Sequence, residues 1–265
     1  LVRSRGLGDV YKRQLSHYSF DPVSSSMDVA VARRFRAVGP SVEEVLALHP
    51  RVVIAGTFLP PATAQAIEAQ GIRLIRLPIA RSVAEARVQV RTIAALAGRP
   101  ASGEALVARI DAALAAARPP AGAAPVSAVV WQSGGIVPGE GTLIADLLAQ
   151  TGFVSLSAQR GMGQATHLPL EAMLADPPEV ILAAGDPLSE EDRLLSHPAL
   201  ARLSGTIRAR FDPSLLWCGG PSIPRAVARL AEVRSGLTLR KPLPLAGGVG
   251  GCLLYTSDAA DERSS

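Results

Sequence analysis

Short apolar segments alternate with helical patterns along most of the chain. Residues 51–55 (RVVIA) are a β-branched run bounded by Pro50 and Gly56, which predicts a buried strand of a parallel sheet. Ser41 with Glu44 three residues later is a capping box, and it predicts a short helix over 42–48 that leads into this strand. The same alternation continues with a helix at 60–70, a strand at 72–77 and two helices at 82–96 and 102–118.

A second series of strands and helices follows a breaker-rich segment at 118–125 (RPPAGAAP). Its predicted elements are a strand at 126–131, a glycine-rich loop at 133–141, a helix at 142–151, a short helix at 169–175, strands at 179–184 and 215–218, and a final helix at 221–233. Strands that alternate with helices favour parallel sheets with helices on both faces. The sequence therefore predicts an α/β protein of two Rossmann-like lobes, bridged by the single long helix at 102–118 and separated by a cleft.

The two ends of the chain differ in composition from the residues beside them. Residues 9–14 (DVYKRQ) can be encoded by GAT GTG TAT AAG AGA CAG, and residues 252–257 (CLLYTS) by TGT CTC TTA TAC ACA TCT. Over their shared length these DNA segments are reverse complements of each other, as expected for a translated transposase-end adapter. We therefore predict that residues 1–14 and 252–265 are artefactual tails, with two unrelated native tails as the alternative. The native part is then 15–251, with the first lobe truncated at its N-terminus and any signal peptide lost with that start.

The composition is that of a globular protein with a substantial core. Of the 265 residues, 48% are hydrophobic and 19% are charged, and the formal net charge is +4. The basic residues are spread along the sequence instead of being grouped with aromatic residues, which argues against a nucleic-acid-binding surface. Two cysteines, Cys218 and Cys252, are too few for a disulfide framework. No apolar run approaches the roughly 20 residues that a membrane span requires.

No combination of residues favours catalysis, a nucleotide site or a bare metal site. The loop at 133–141 contains four glycines but has neither a Gly-Lys-Ser/Thr sequence nor a complete G-x-G-x-x-G. Cys218 has no adjacent base, and Ser133 lacks the sequence of a nucleophile elbow. The four histidines have no metal-ligand spacing; they are His17, His49, His167 and His197. We predict no catalytic residues and no resident cofactor or metal.

The carboxyl ends of the strands are where we look for ligand-binding residues, because ligands of open α/β sheets bind beyond those ends. These positions hold Tyr18, Thr57, Phe58, Trp131, Gln132, Asp186 and Trp217. Aromatic residues make up only 4% of the chain, and several of them fall in these loops. Flat apolar side chains with a few polar groups suit a large planar ligand such as a porphyrin or a corrin. The alternative for Trp131 and Trp217 is packing in the core.

Three segments carry a resemblance to a known family: residues 39–55 (GPSVEEVLALHPRVVIA), 137–153 (VPGEGTLIADLLAQTGF) and 218–225 (CGGPSIPR). They resemble the periplasmic substrate-binding proteins of ABC importers that capture iron-siderophores, haem and cobalamin. The resemblance covers nearly all of 15–236 and implies two lobes joined by one rigid helix. The predicted division is a first lobe at 15–100, a connecting helix at 101–120, a second lobe at 121–240 and a tail at 241–265.

The resemblance implies a monomeric periplasmic protein that is not an enzyme. It would capture an iron chelate (siderophore or haem) or cobalamin and deliver it to the membrane subunits of an ABC permease. Tyr18 resembles a cleft tyrosine of the cobalamin binders, whereas Gly56 stands where those proteins have a tryptophan. Glu43 and Glu171 match family glutamates, one on each lobe, that pair with permease arginines; the alternative for both is helix capping. The competing hypothesis is a cytoplasmic α/β enzyme that binds a nucleotide or cofactor between its lobes.

Overall fold

The computed structural model describes residues 2–4, 13–39, 41–185, 195 and 197–238. The elements of the first part are β1 (Val2–Ser4), β2 (Arg13–Ser16), α1 (Val29–Ala32), β3 (Arg36–Val38), α2 (Val42–Leu46), β4 (Pro50–Gly56), α3 (Pro61–Ala69), β5 (Arg73–Leu77), α4 (Val83–Leu96) and α5 (Pro100–Ala117). Those of the second part are β6 (Val126–Gln132), β7 (Ile136–Val137), α6 (Leu143–Gln150), β8 (Phe153–Ser155), α7 (Leu156–Gln159), β9 (Thr166–His167), α8 (Leu170–Ala175), β10 (Val180–Ala184), β11 (Ile207–Arg210) and α9 (Ser222–Thr238).

Local sequence signals set the ends of several elements as predicted. Ser41 is the N-cap of α2, and its hydroxyl accepts a hydrogen bond from the backbone N–H of Glu44 at 3.2 Å. The Glu44 carboxylate in turn accepts from the backbone N–H of Gly39 at 2.7 Å, two residues before the cap. Gly71 after α3 and Gly98 between α4 and α5 have φ values of 70° and 67°, a conformation that glycine adopts without steric cost.

The first sheet has five strands in the order β3-β2-β1-β4-β5. β2 pairs with β3 and β4 pairs with β5 in parallel, whereas β1 is antiparallel to both β2 and β4. β2 and β4 therefore run in the same direction, and their carboxyl ends lie at the same edge of the sheet. β1 comes from the segment that we attribute to an adapter, and it pairs with strand edges that would otherwise lack backbone partners.

The second sheet has the order β11-β10-β6-β8, and all of its pairings are parallel. Successive side chains of a strand point to opposite faces, so Ala128 and Val130 of β6 lie in one hydrophobic core while Val129 and Trp131 lie in another. Helices cover both faces, which confirms the predicted α/β class with parallel sheets. β7 and β9 form a separate antiparallel ribbon that the sequence analysis did not predict.

The final strand of the second sheet is β11, and the prediction of a strand at 215–218 is wrong. Residues 213–215 form a 3-10 turn that begins at a proline, and Asp212 Oδ1 accepts a hydrogen bond from the backbone N–H of Ser214 at 2.9 Å. An aspartate followed by proline favours a turn over a strand. We did not predict β11 because it has no continuous apolar run. Arg208 and Arg210 alternate with its two apolar residues, and it is the outermost strand of the sheet.

A pair of packed helices connects the two sheets. Arg91 of α4 donates to Glu104 of α5 at 2.8 Å, and Arg87 forms a second ion pair with Asp111. α5 also packs against α9 and then leads into β6, consistent with a bridging helix between two lobes. The largest core draws on both helices, and its members from this region are Ala80, Val83, Ala86, Ile110 and Leu114. The first sheet has a smaller core of Val38, Val45, Val53 and Ile67.

Candidate ligand-binding cleft

Exposed apolar side chains are concentrated in the connections that follow parallel strands. In the described part of the chain, the exposed large hydrophobic residues are Tyr18, Val23, Met27, Val31, Phe58, Ile79, Val88 and Trp217. All of them except Val31 and Val88, which lie within α1 and α4, are between the carboxyl end of a strand and the start of the α-helix that follows it. A cluster of exposed apolar groups at one edge of a sheet marks a binding surface.

Tyr18 and Phe58 occupy equivalent places on the first sheet. Each lies two residues beyond its strand, after Ser16 of β2 and after Gly56 of β4. Because only β1 separates these strands, their ends are about 10 Å apart at the ordinary strand spacing. Tyr18 is 64% exposed and Phe58 is 83% exposed, and Thr57 beside Phe58 is exposed as well. The structure therefore brings together three of the predicted ligand-binding residues.

The segment that contains Tyr18 is held by a network around Asp21. The Asp21 carboxylate accepts hydrogen bonds from the Ser24 hydroxyl at 2.5 Å and from the backbone N–H of Val23 at 3.0 Å. These two donors hold the pKa of Asp21 below its ordinary value, the Ser24 hydroxyl having the larger effect. The loop between β2 and α1 is therefore an ordered turn.

Trp131 does not lie in the cleft, and we remove it from the predicted ligand set. β6 extends through Gln132, so Trp131 is a residue of the strand and not of the loop after it. Its side chain is fully buried, in contact with the core that contains Leu168 and Met173. An indole with no exposed surface cannot contact a ligand. Trp131 therefore packs in the core, which was the alternative to ligand binding for this residue.

Trp217 is the candidate from the second lobe that remains exposed, at 59%. It lies between the 3-10 turn at 213–215 and α9, in a loop that packs against the start of α4. A Cβ on Gly219 would be 3.2 Å from the Cβ atoms of Ala80 and Ala86. Gln132 is half-buried at the carboxyl end of β6, and Asp186 lies outside the described residues. Cys218, which follows Trp217, is exposed as well.

Arg225 connects the second lobe to the loop that holds Tyr18. Its guanidinium donates to the Ser214 hydroxyl at 3.2 Å and to the backbone carbonyl of Ser26 at 3.5 Å. Ser26 and Arg225 are 199 positions apart in the chain, so sequence analysis could not pair them. The contact shows that the loop after β2, which also holds Tyr18, reaches the second lobe.

The glycine-rich loop after β6 is packed against its neighbours. The backbone N–H of Gly139 donates to Gly163 O at 2.9 Å, and that of Glu140 donates to Met162 O at 2.8 Å. These donors are already used and cannot bind a phosphate. Within the described ranges, no three His, Cys, Asp or Glu residues are grouped closely enough to hold a metal ion.

The two glutamates predicted to contact a permease have matching surroundings. Glu43 is exposed in the first turn of α2, and Glu171 is exposed in the first turn of α8. Neither carboxylate has a hydrogen-bond or ion-pair partner among the described residues, whereas Glu44 accepts a hydrogen bond from Gly39. The capping role in α2 therefore belongs to Glu44, which leaves Glu43 available to an external group.

The fold is that of a two-lobed α/β protein, and comparison with known families identifies the class to which it belongs. Residues 15–209 match the model of the periplasmic binding protein family, and the chain belongs to that family. No curated protein matches the chain. In the part of the chain that the structure describes, no helix has the combined length and apolar character of a membrane span.

Solved structures with the same fold include three periplasmic haem-binding proteins. The protein from Pseudomonas aeruginosa is 23% identical with a TM-score of 0.65, and the match covers 83% of each chain. RhuT from Roseiflexus sp. RS-1, in apo form, is 23% identical with a TM-score of 0.64 and covers 83% of this chain and 97% of its own. BhuT, solved in complex with two haems, is 23% identical with a TM-score of 0.60, and the match covers 77% of this chain and 84% of its own.

Proposed function

We propose that this protein captures a metal chelate outside the cytoplasm and delivers it to an ABC permease, with haem as the first candidate ligand and ferric siderophores and cobalamin as the others. The observation that carries the proposal is the set of exposed apolar side chains after the strands of both lobes, with Tyr18 and Phe58 on one side and Trp217 on the other. A large ligand with apolar faces covers such surface, and at about 25 cal/mol per Å² its burial drives binding.

Arg225 is a charged group close to the exposed apolar side chains, and it suits a ligand that has both apolar faces and acidic edges. Arg225 has two acceptors within the protein, at 3.2 and 3.5 Å, and its remaining N–H groups can bind a carboxylate. Similarity to haem-binding proteins of the same fold supports haem over the other chelates. Membership of the periplasmic binding protein family supports a periplasmic location.

Titration of the full chain with ferric haem, a ferric hydroxamate siderophore, cyanocobalamin, NAD and ATP tests the proposed ligand class. We expect saturable binding of one of the three chelates with a Kd in the micromolar range or lower. A micromolar Kd corresponds to a binding free energy of about −8 kcal/mol. Absorbance changes of the chelate and quenching of tryptophan fluorescence are the measurements. Binding of NAD or ATP with no response to any chelate would overturn the proposal in favour of a nucleotide-binding enzyme.

Delivery to a permease is supported by Glu43 and Glu171, one on each lobe. Both are exposed, and both have the same place in a short helix that precedes a strand. Two similar carboxylates, one on each lobe, match a partner composed of two related subunits with basic groups. Exposed charges at the rim of an interface mainly set the encounter rate and the register of docking.

A further inference from the structure

We propose that exposed arginines at the amino edge of the first sheet bind the anionic phospholipid headgroups of a membrane surface. These residues are Arg33, Arg34, Arg36, Arg51 and Arg73, and all of them are exposed. We name this surface the basic edge. The proposal goes beyond ligand capture, and the choice of a membrane as the partner rests on the proposed delivery to a permease.

The topology of the sheet brings these arginines together. β2 and β4 run in the same direction, and each has a parallel neighbour, so β2, β3, β4 and β5 all begin at one edge. Arg36 and Arg73 are the first residues of β3 and β5, and Arg51 is the second residue of β4. Arg33 and Arg34 lie between α1 and β3 and lead into the same edge. Because β3 and β5 are four strand spacings apart, the basic edge is about 19 Å long.

The arginines of the basic edge have no counter-charge within the described part of the chain. None of their guanidinium groups makes a hydrogen bond or an ion pair there, whereas Arg91 between the two connecting helices is paired with Glu104. On β5 itself, Glu68 lies 3.9 Å from Arg76, which is further along the strand than the basic edge. Like charges that are gathered without counter-charges repel one another, and an external anionic partner relieves this repulsion.

An extended anionic surface fits the basic edge better than a small anion or a nucleic acid. The charges are spread along a line instead of around one point, as the headgroups of a bilayer are spread over a plane. Nucleic-acid surfaces add exposed aromatic side chains on which bases stack, whereas Phe35, between Arg34 and Arg36, is half-buried. Tyr18 and Phe58 follow the opposite ends of their strands, so a membrane at the basic edge leaves them accessible.

Vesicle binding of the full chain tests this proposal. The probes are vesicles of phosphatidylcholine alone and vesicles of equal parts phosphatidylcholine and phosphatidylglycerol, and co-sedimentation gives the partition coefficient. We expect binding to the anionic vesicles at about 0.01 M salt, where the Debye length is about 30 Å, and release at about 1 M salt, where it is about 3 Å. The neutral vesicles should bind at neither salt concentration.

A triple variant localises the binding surface. It combines Arg34→Gln, Arg36→Gln and Arg51→Gln, which keep polar side chains and remove three positive charges. Each arginine near an anionic surface strengthens binding about fivefold, so the triple variant should bind the anionic vesicles about 100-fold more weakly. Its melting temperature and its affinity for the chelate should equal those of the parent protein, because these side chains have no described partner.

The matched control combines Arg99→Gln, Arg109→Gln and Arg208→Gln. These arginines are also exposed without a described side-chain partner, and they lie outside the first sheet, so the control should bind the vesicles nearly as well as the parent. Equal losses in the two variants would show that net charge alone drives binding, and the basic edge would be overturned. Failure of the parent to bind anionic vesicles, or tighter binding to a DNA duplex than to them, would overturn the membrane as the partner. Chelate titration tests the proposed function separately.

Discussion

Trp131 and Trp217 occupy opposite environments. Trp131 has no exposed surface, and its indole Nε1 has no hydrogen-bond partner among the described residues. An unpaired buried donor costs about 1–3 kcal/mol, which the packing of the indole in the core must outweigh. Trp217 is 59% exposed, and it is a proposed ligand contact. At the residue scale, burial therefore separates a structural tryptophan from a candidate contact residue.

Collisional quenching should distinguish the two tryptophans without any ligand. In Trp217→Phe, the remaining emission should come from Trp131, lie at shorter wavelength and resist iodide, because the indole is fully buried. In Trp131→Phe, the emission should be at longer wavelength and readily quenched. Steady-state iodide titrations of both variants give the measurement. Equal quenching of the two variants would contradict the placement of Trp131 in the core.

The connection between the lobes depends on the close approach of two helices. Gly103 of α5 lies against α4, where a Cβ on it would be only 2.5 Å from the Cβ of Ala94. The ion pairs of Arg87 and Arg91 join the same two helices, although exposed pairs of this kind contribute at most about 1 kcal/mol each. At the element scale, the absence of a side chain at Gly103 therefore sets the helix spacing.

Gly103→Ala and Gly236→Ala form a matched pair of substitutions. Both replace a glycine within a helix, and both gain about 1 kcal/mol of helix propensity. A Cβ at Gly236 meets nothing within 4 Å, whereas one at Gly103 meets Ala94. We expect Gly236→Ala to stabilise the protein. The free energy of unfolding of Gly103→Ala should be lower than that of Gly236→Ala by about 1–3 kcal/mol, which is the cost of overpacking. Denaturant unfolding gives the two values, and equal stability would contradict the close packing.

β1 is the second element whose contribution can be tested. Deletion of residues 1–12 removes it and leaves the facing edges of β2 and β4 without backbone partners. The core beneath this sheet is small, so we expect hydrogen-exchange protection to fall in β2–β5 and to persist in β6, β10 and β11. Mass spectrometry of the exchanged peptides gives the measurement. Unchanged protection in the first sheet would show that β1 does not support it.

The adapter hypothesis makes a related prediction. If residues 1–14 replace natural sequence, restoring the natural upstream segment should raise the melting temperature, since a native strand adds apolar burial at about 25 cal/mol per Å² to the first lobe. Calorimetry of the two proteins compares them directly. Identical melting would argue that the segment is native and that the hypothesis of a truncated first lobe is wrong.

At the scale of the whole molecule, Glu43 and Glu171 place one unpartnered carboxylate on each lobe. Substitution of both by alanine should leave ligand affinity and melting nearly unchanged, because neither side chain has a partner in the described structure. Association with the permease and uptake should fall sharply. Vesicle-binding and uptake assays with the cognate permease are the measurements.

Glu44→Ala is the matched control for this double substitution. Glu44 is adjacent to Glu43 and accepts from Gly39 at 2.7 Å, so its loss should destabilise the protein by about 1 kcal/mol without affecting uptake. Uptake that survives the double substitution, or loss of ligand binding with it, would contradict a docking role.

Signals within a few residues of each other were sufficient for much of this fold. The capping box at Ser41 and the β-branched run of β4 act through contacts local in the chain, and the helix and strand that they predict are present. The alternation of strand and helix then predicts parallel sheets, since a parallel connection requires a crossover helix. Phe58 could be identified as exposed beyond a strand end for the same reason, whereas Trp217 is exposed after a 3-10 turn and not in the strand predicted at 215–218.

The tertiary structure decided what depends on groups distant in sequence. Whether Trp131 points to the cleft or the core depends on where β6 ends and on which face Leu168 and Met173 cover, and neither is encoded in the strand itself. The contact of Arg225 with Ser26 spans almost the whole chain. The sequence alone therefore determined the class of the protein and most of its elements, whereas packing between distant segments decided which candidate side chains are buried and which are exposed.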